Sequence, residues 1–143
     1  MPSDRSRDAL GADVIGRLTG SSVITVHPVG GGDVCQTGVA ELSDGRTVFV
    51  KARSGMPPDF FATEGRGLRR LGSVRGGVPV PKVIAFDRSC LVLEWLETGT
   101  PSAPSAERFG RSLATTHRSG GAVFGSVDGD GWILTHLVRV VES

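Results

Sequence analysis

Apolar positions change their period several times along this chain, and each change marks an element. From residue 4 to residue 19, Leu10, Val14, Ile15 and Leu18 recur three and four apart, the spacing of one helical face. Ser3 or Asp4 stands where an N-cap belongs, and Gly20 where a helix ends. Val23, Ile24, Val26 and Val29 then read as a strand, and a second strand runs from about Val34 to Leu42. Ser43-Asp44-Gly45-Arg46 is a tight-turn sequence. Beyond it Val48 and Val50 alternate with Phe49 and Lys51, the two-residue period of a strand. Lys51 therefore shares an inward face with Phe49, and the three strands form a meander.

The period then lengthens. Pro57-Pro58-Asp59 is a helix start, and Phe60, Phe61, Leu68 and Leu71 make an apolar stripe over a helix of about 57–72. Glu64 falls on that stripe, four residues from Phe60 and four from Leu68. Val78-Pro79-Val80-Pro81 is too rich in proline for a central strand. Val83 to Phe86 and Cys90 to Leu96 are two strands around the turn Asp87-Arg88-Ser89. The order is β-β-β-α-β-β after a leading helix. It predicts an α+β fold, an antiparallel five-stranded sheet with one helix packed across it and an extra N-terminal helix. Thr98 to Ser105, rich in Thr, Pro, Ser and Gly, reads as a linker. A last helix follows from about Ser105 to Arg118, with Phe109, Leu113 and His117 on one face. The Gly-rich stretch from Gly120 turns apolar at Trp132-Ile133-Leu134.

Composition narrows the classes. The 143 residues can form one domain with a moderate core, and the net charge of +1 makes no electrostatic case for nucleic acid or a membrane surface. No apolar run is long enough to span a bilayer, and the N-terminus lacks a signal-peptide layout. Cys35 and Cys90 have no metal-ligand spacing, so a cytoplasmic protein with reduced thiols is expected. The chain contains no Asn and no Tyr.

Chemistry concentrates around Lys51. A carboxylate on the Glu64 stripe needs a partner, since an unpaired buried charge costs roughly 3–5 kcal/mol. Lys51, on the strand before, is the candidate. A strand Lys paired with a helix Glu, downstream of the glycine hairpin Gly30-Gly31-Gly32, is the arrangement of a nucleotide-phosphate site. The hairpin is neither a Walker A loop nor a dinucleotide fingerprint, because no Gly-Lys-Ser/Thr follows it and a strand, not a helix, comes next. His27, His117 and His136 do not form a metal set, and Asp128-Gly129-Asp130 lacks the length and terminal Glu of a calcium loop. A hydrolase elbow is missing as well.

Taken in order, these segments resemble the fructosamine (ketosamine) kinase family, relatives of the aminoglycoside phosphotransferases. The resembling residues are Pro28 to Asp33, Asp44 to Lys51, Phe60 to Leu68, Val80-Pro81, Leu91 to Leu96, Leu113 to His117, Phe124-Gly125 and Asp130 to Ile133. The resemblance implies a protein-kinase-like N-terminal lobe plus the start of a helical C-terminal lobe. It implies ATP with Mg²⁺, and phosphoryl transfer to a sugar hydroxyl of a ketosamine or glycated protein. By the same resemblance Gly30, Gly31 and Gly32 cover the phosphates, Lys51 contacts them, Glu64 holds Lys51, and Glu94 and Leu96 meet adenine through their backbones. Residues 1–97 would be the ATP-binding small lobe, and 98–143 a linker and the beginning of the large lobe.

The resemblance departs after Ile133. The family continues with a His-Gly-Asp catalytic loop, its Asn and a metal-binding Asp, whereas here Leu134-Thr135-His136 leads to Ser143. Such a tail is what a frameshift or truncation near Ile133 would leave. No catalytic or metal-binding residue is therefore assigned, and the 143-residue chain is expected to be inactive. The alternatives are a catalytically dead nucleotide-binding or interaction module, a fragment of an aminoglycoside phosphotransferase-like kinase, and a structural fragment that binds nothing.

Overall fold

A computed structural model describes residues 10–30, 34–121, 131–133 and 136–138. The candidate residues Gly31 and Gly32, the Ser3/Asp4 cap and the Asp128–Asp130 run lie outside the described residues. Helix α1 (Ala12–Thr19) precedes strands β1 (Val23–Pro28), β2 (Gln36–Leu42) and β3 (Thr47–Ala52). Helix α2 (Phe60–Gly72), strands β4 (Val83–Phe86) and β5 (Cys90–Glu94), and helix α3 (Ala103–Arg118) follow. Two short strands, β6 (Gly131–Ile133) and β7 (His136–Val138), pair antiparallel.

The five-stranded sheet has the order β1-β2-β3-β5-β4, with every pairing antiparallel. The meander is as the alternation predicts, and β5 enters between β3 and β4, leaving β4 at the edge. The two-residue period of β3 then sorts side chains between two cores. Val48, Val50 and Ala52 join Leu10, Ile15, Val26, Ala40, Leu42, Cys90 and Val92 beneath α1. Phe49 packs with Phe60, Phe61, Leu91, Leu93 and Cys35 beneath α2. A helix thus covers each face, so a central strand such as β5 is buried on both sides and reads as a continuous apolar run.

Several details differ from the sequence reading, beginning with the starts of β2 at Gln36 and α2 at Phe60, two and three residues later than expected. Helix α1 begins at Ala12, after Gly11, which is left-handed at φ 66°, and residues 4–9 of the expected helix lie outside the described residues. Leu71 is 42% exposed, and α2 buries Phe60, Phe61 and Gly65 instead. Strand β5 stops at Glu94, leaving Trp95 and Leu96 in the connector. Helix α3 begins two residues early, since Ser102 and Ser105 form a reciprocal capping box. No residue of α3 is buried: Phe109 is 54% exposed and His117 is exposed, while Leu113 is half-buried.

Candidate functional site

The hairpin between β2 and β3 fixes the site's register. Leu42 donates its N–H to Arg46 O at 2.9 Å, and Gly45 donates to Leu42 O at 3.0 Å. The Asp44 carboxylate accepts from both the backbone and the side chain of Arg46, and these bonds hold its carboxyl down at about 2. Counting outward from this turn places Thr37 opposite Lys51. Thr37 in turn donates its hydroxyl to Val29 O at 2.7 Å, and Val29 N–H donates to Thr37 O at 3.0 Å. The base of the glycine hairpin, ending at Gly30, is therefore tied one strand away from Lys51.

Lys51 Nζ reaches across to α2 and donates to both oxygens of Glu64, at 2.7 Å and 2.8 Å. The side chains are 27% and 32% exposed. Burial alone therefore does not force the pairing as the stripe argument supposed. A pair this accessible contributes about 1 kcal/mol or less to stability. Its geometry instead holds the ammonium in place while leaving it partly exposed.

Cys35 lies on the same face. Burial among Phe60, Phe61, Leu91 and Leu93 pushes its thiol above the ordinary value, while the Lys51 ammonium pulls the other way. Arg53 caps this corner by donating to Val34 O. At the other end of β5, Glu94 sits opposite Val48, whereas Leu91 sits opposite Lys51. Three residues of strand separate the two positions by roughly 10 Å. Glu94 donates its N–H to Lys82 O at 2.9 Å and accepts from Lys82 N–H through its carboxylate at 3.1 Å. Its neighbour Trp95 stacks on Phe49 with centroids 6.4 Å apart, and Leu96 is half exposed.

The structure thus brings Lys51 and Glu64 into contact, ties the base of the glycine hairpin at Val29 one strand away from Lys51, and places Glu94 at the end of the neighbouring strand β5, with Leu96 in the connector beyond it. The sequence reading missed the Phe49–Trp95 stack and the nearness of Cys35. The second was legible, because the hairpin register that puts Thr37 opposite Lys51 leaves Cys35 two residues before Thr37, just ahead of the start of β2. Among the described residues no three His, Cys, Asp or Glu side chains gather to hold a metal ion, and no helix is long and apolar enough to cross a membrane.

Residues 11–135 match the fructosamine kinase family model. A probable ketoamine kinase from Synechocystis is 35% identical over 86 residues, covering 57% of this chain and 29% of the relative. Among solved structures, a candidate fructosamine-3-kinase from Thermobifida fusca superposes with a TM-score of 0.77 at 35% identity, over 89% of this chain and 44% of that one. A second, from Haemophilus somnus, gives a TM-score of 0.73 at 20% identity, over 94% and 48%, a likeness of fold. The chain spans less than half the length of each of these relatives.

Proposed function

The chain belongs to the fructosamine kinase family, and from that premise we propose that residues 1–97 form the ATP-binding small lobe of a ketosamine-type kinase. Residues 98–143 are then the linker and first part of the large lobe. The observation that carries this reading is the Lys51–Glu64 pair, made through both carboxylate oxygens across strand and helix. Glu64 directs the ammonium, and the ammonium takes the α/β-phosphates as a point charge. The backbone of Gly30 to Gly32 covers those phosphates. The backbones of Glu94 and Leu96 meet the base, at a separation along β5 that suits an extended nucleotide.

Mg²⁺ is assigned as the counter-ion that the nucleotide carries. No ligand for it is assigned among the described residues. Nor do the 143 residues contain a His-Gly-Asp sequence or any Asn. Phosphoryl transfer depends on positioned metal ligands and a residue that orients the acceptor hydroxyl. A polypeptide of these residues alone therefore binds nucleotide without transferring phosphate to a ketosamine, which favours the binding-module reading for the isolated chain. The acceptor of the family activity is a sugar hydroxyl on a glycated amine.

Thermal stabilisation by ATP tests the assignment. The wild-type chain should gain stability with millimolar ATP, and Lys51→Ala should lose that gain while its own melting temperature changes little. An equal ATP shift in the variant would move the phosphates elsewhere. Incubation with ATP, Mg²⁺ and a model ketosamine should yield product at background level, and robust turnover would sink the non-transferring reading.

A further inference from the structure

Several arginines of this chain have carboxylate partners: Arg17 pairs with Asp87, Arg46 with Asp44, and Arg111 with Glu107. Arg70, Arg75 and Arg118 have none among the described residues, and all three line one open cleft of about 440 Å³. The cleft lies between the C-terminal ends of α2 and α3, with Ser73, Thr115 and Ser119 completing its wall. Among the described residues no acidic side chain lines it.

Cations in the last turn of a helix ordinarily answer the helix dipole. That accounts for Arg70 and Arg118, which sit in the last turns of α2 and α3. Arg75 is different, because it stands in the turn that follows α2, outside either helix. That turn is built firmly. Gly76 is left-handed at φ 73°, Gly77 donates its N–H to Val74 O at 3.0 Å, and Val78 donates to Thr116 Oγ1 at 2.9 Å. A Cβ on Gly77 would come within 2.7 Å of Thr116 Oγ1 and 2.9 Å of Val74. The turn is thus seated on α3, and it brings a third arginine to the cleft that Arg70 and Arg118 line. Three arginines lining one cleft, with no carboxylate among its described lining residues, suit an oxyanion.

We propose that this cleft binds a small multivalent oxyanion of the phosphate class, held by Arg70, Arg75 and Arg118. The volume suits a small molecule rather than a protein segment. The ligand would bridge α2, which carries Glu64, to the helix that follows the linker. This site is separate from Lys51 and does not rest on the nucleotide reading.

Inorganic pyrophosphate, added to the ¹⁵N-labelled 143-residue chain at constant ionic strength, tests it by NMR. Saturable shifts are expected at the amides of Arg75, Gly76 and Ser119, unchanged in Lys51→Ala. The triple variant Arg70→Gln/Arg75→Gln/Arg118→Gln should bind roughly tenfold more weakly or worse, since it loses charge-assisted hydrogen bonds. Arg75→Gln alone gives an intermediate loss and guards against any global change in the triple variant. The proposal is overturned if those amides do not shift in the millimolar range, if the shifts map to Gly30 and Lys51 instead, or if the arginine variants bind as wild type does.

Discussion

Asp87 concentrates more polar contacts than any candidate site residue, and its role is structural. Its Oδ1 accepts from Ser89 N–H, Ser89 hydroxyl and Cys90 N–H at 2.9, 3.0 and 3.0 Å, and its Oδ2 accepts from Arg17 at 2.7 Å. Desolvation works to raise its carboxyl, but these donors outweigh it and hold the group below the ordinary carboxylate value. A depressed folded-state pKa stabilises the fold above the unfolded value near 3.8, and that contribution disappears as pH falls through the folded value. Asp87→Asn should therefore lower the melting temperature at pH 7. The gap between variant and wild type should narrow as pH is taken below the ordinary carboxylate range. Melting curves at pH 7, 4 and 3 check this, and a gap independent of pH would show that the charge is not what the turn uses.

Elements were legible where one period held and one face was buried. The alternation over Val48 to Lys51 located β3 and set Lys51 toward α2, because a one-residue slip would have turned every side chain over. The stripe of α2 located Glu64 by the same logic. Legibility failed where a single backbone angle or a tertiary contact decided the outcome. Nothing in the period of Leu10, Val14 and Ile15 announces that Gly11 turns left-handed. Leu71 satisfies the stripe yet stays exposed, and no period announces that Trp95 stacks on Phe49. The polar cleft at the ends of α2 and α3 was invisible for a like reason, since residues 70, 75 and 118 meet only after folding. Gly65 shows how closely α2 is fitted. A Cβ there would lie 2.7 and 2.8 Å from the Phe86 ring, over which Arg69 stacks at 5.2 Å. Helix propensity favours Gly65→Ala by about 1 kcal/mol, but overpacking costs about 1–3 kcal/mol. Net destabilisation of about 1 kcal/mol is expected in urea titration. Adding Phe86→Leu should relieve part of it, and simple additivity of the two variants would mean that Phe86 is not the obstacle.

At the scale of the whole molecule, the sheet is a shared wall between two cores. Strands β3 and β5 send alternate side chains to opposite faces, Val50 and Val92 toward α1, Phe49, Leu91 and Leu93 toward α2. The Lys51–Glu64 pair lies on the α2 side, yet the strand that carries Lys51 is anchored from the α1 side. Ile15, fully buried beneath the sheet, is the test of that dependence. Ile15→Ala removes apolar contacts and leaves a cavity, for a cost of about 2–5 kcal/mol, which is a large part of a domain's total of about 5–15 kcal/mol. In a Trp132→Phe background Trp95 is the only tryptophan, and it reports from the opposite side of the sheet. If the two cores unfold as one unit, Ile15→Ala should shift the Trp95 fluorescence and far-UV circular dichroism transitions to the same lower urea midpoint. A Trp95 transition left at its wild-type midpoint would mean that the α2 face holds without α1. The nucleotide-facing half would then be a separate folding unit, rather than one side of a single wall.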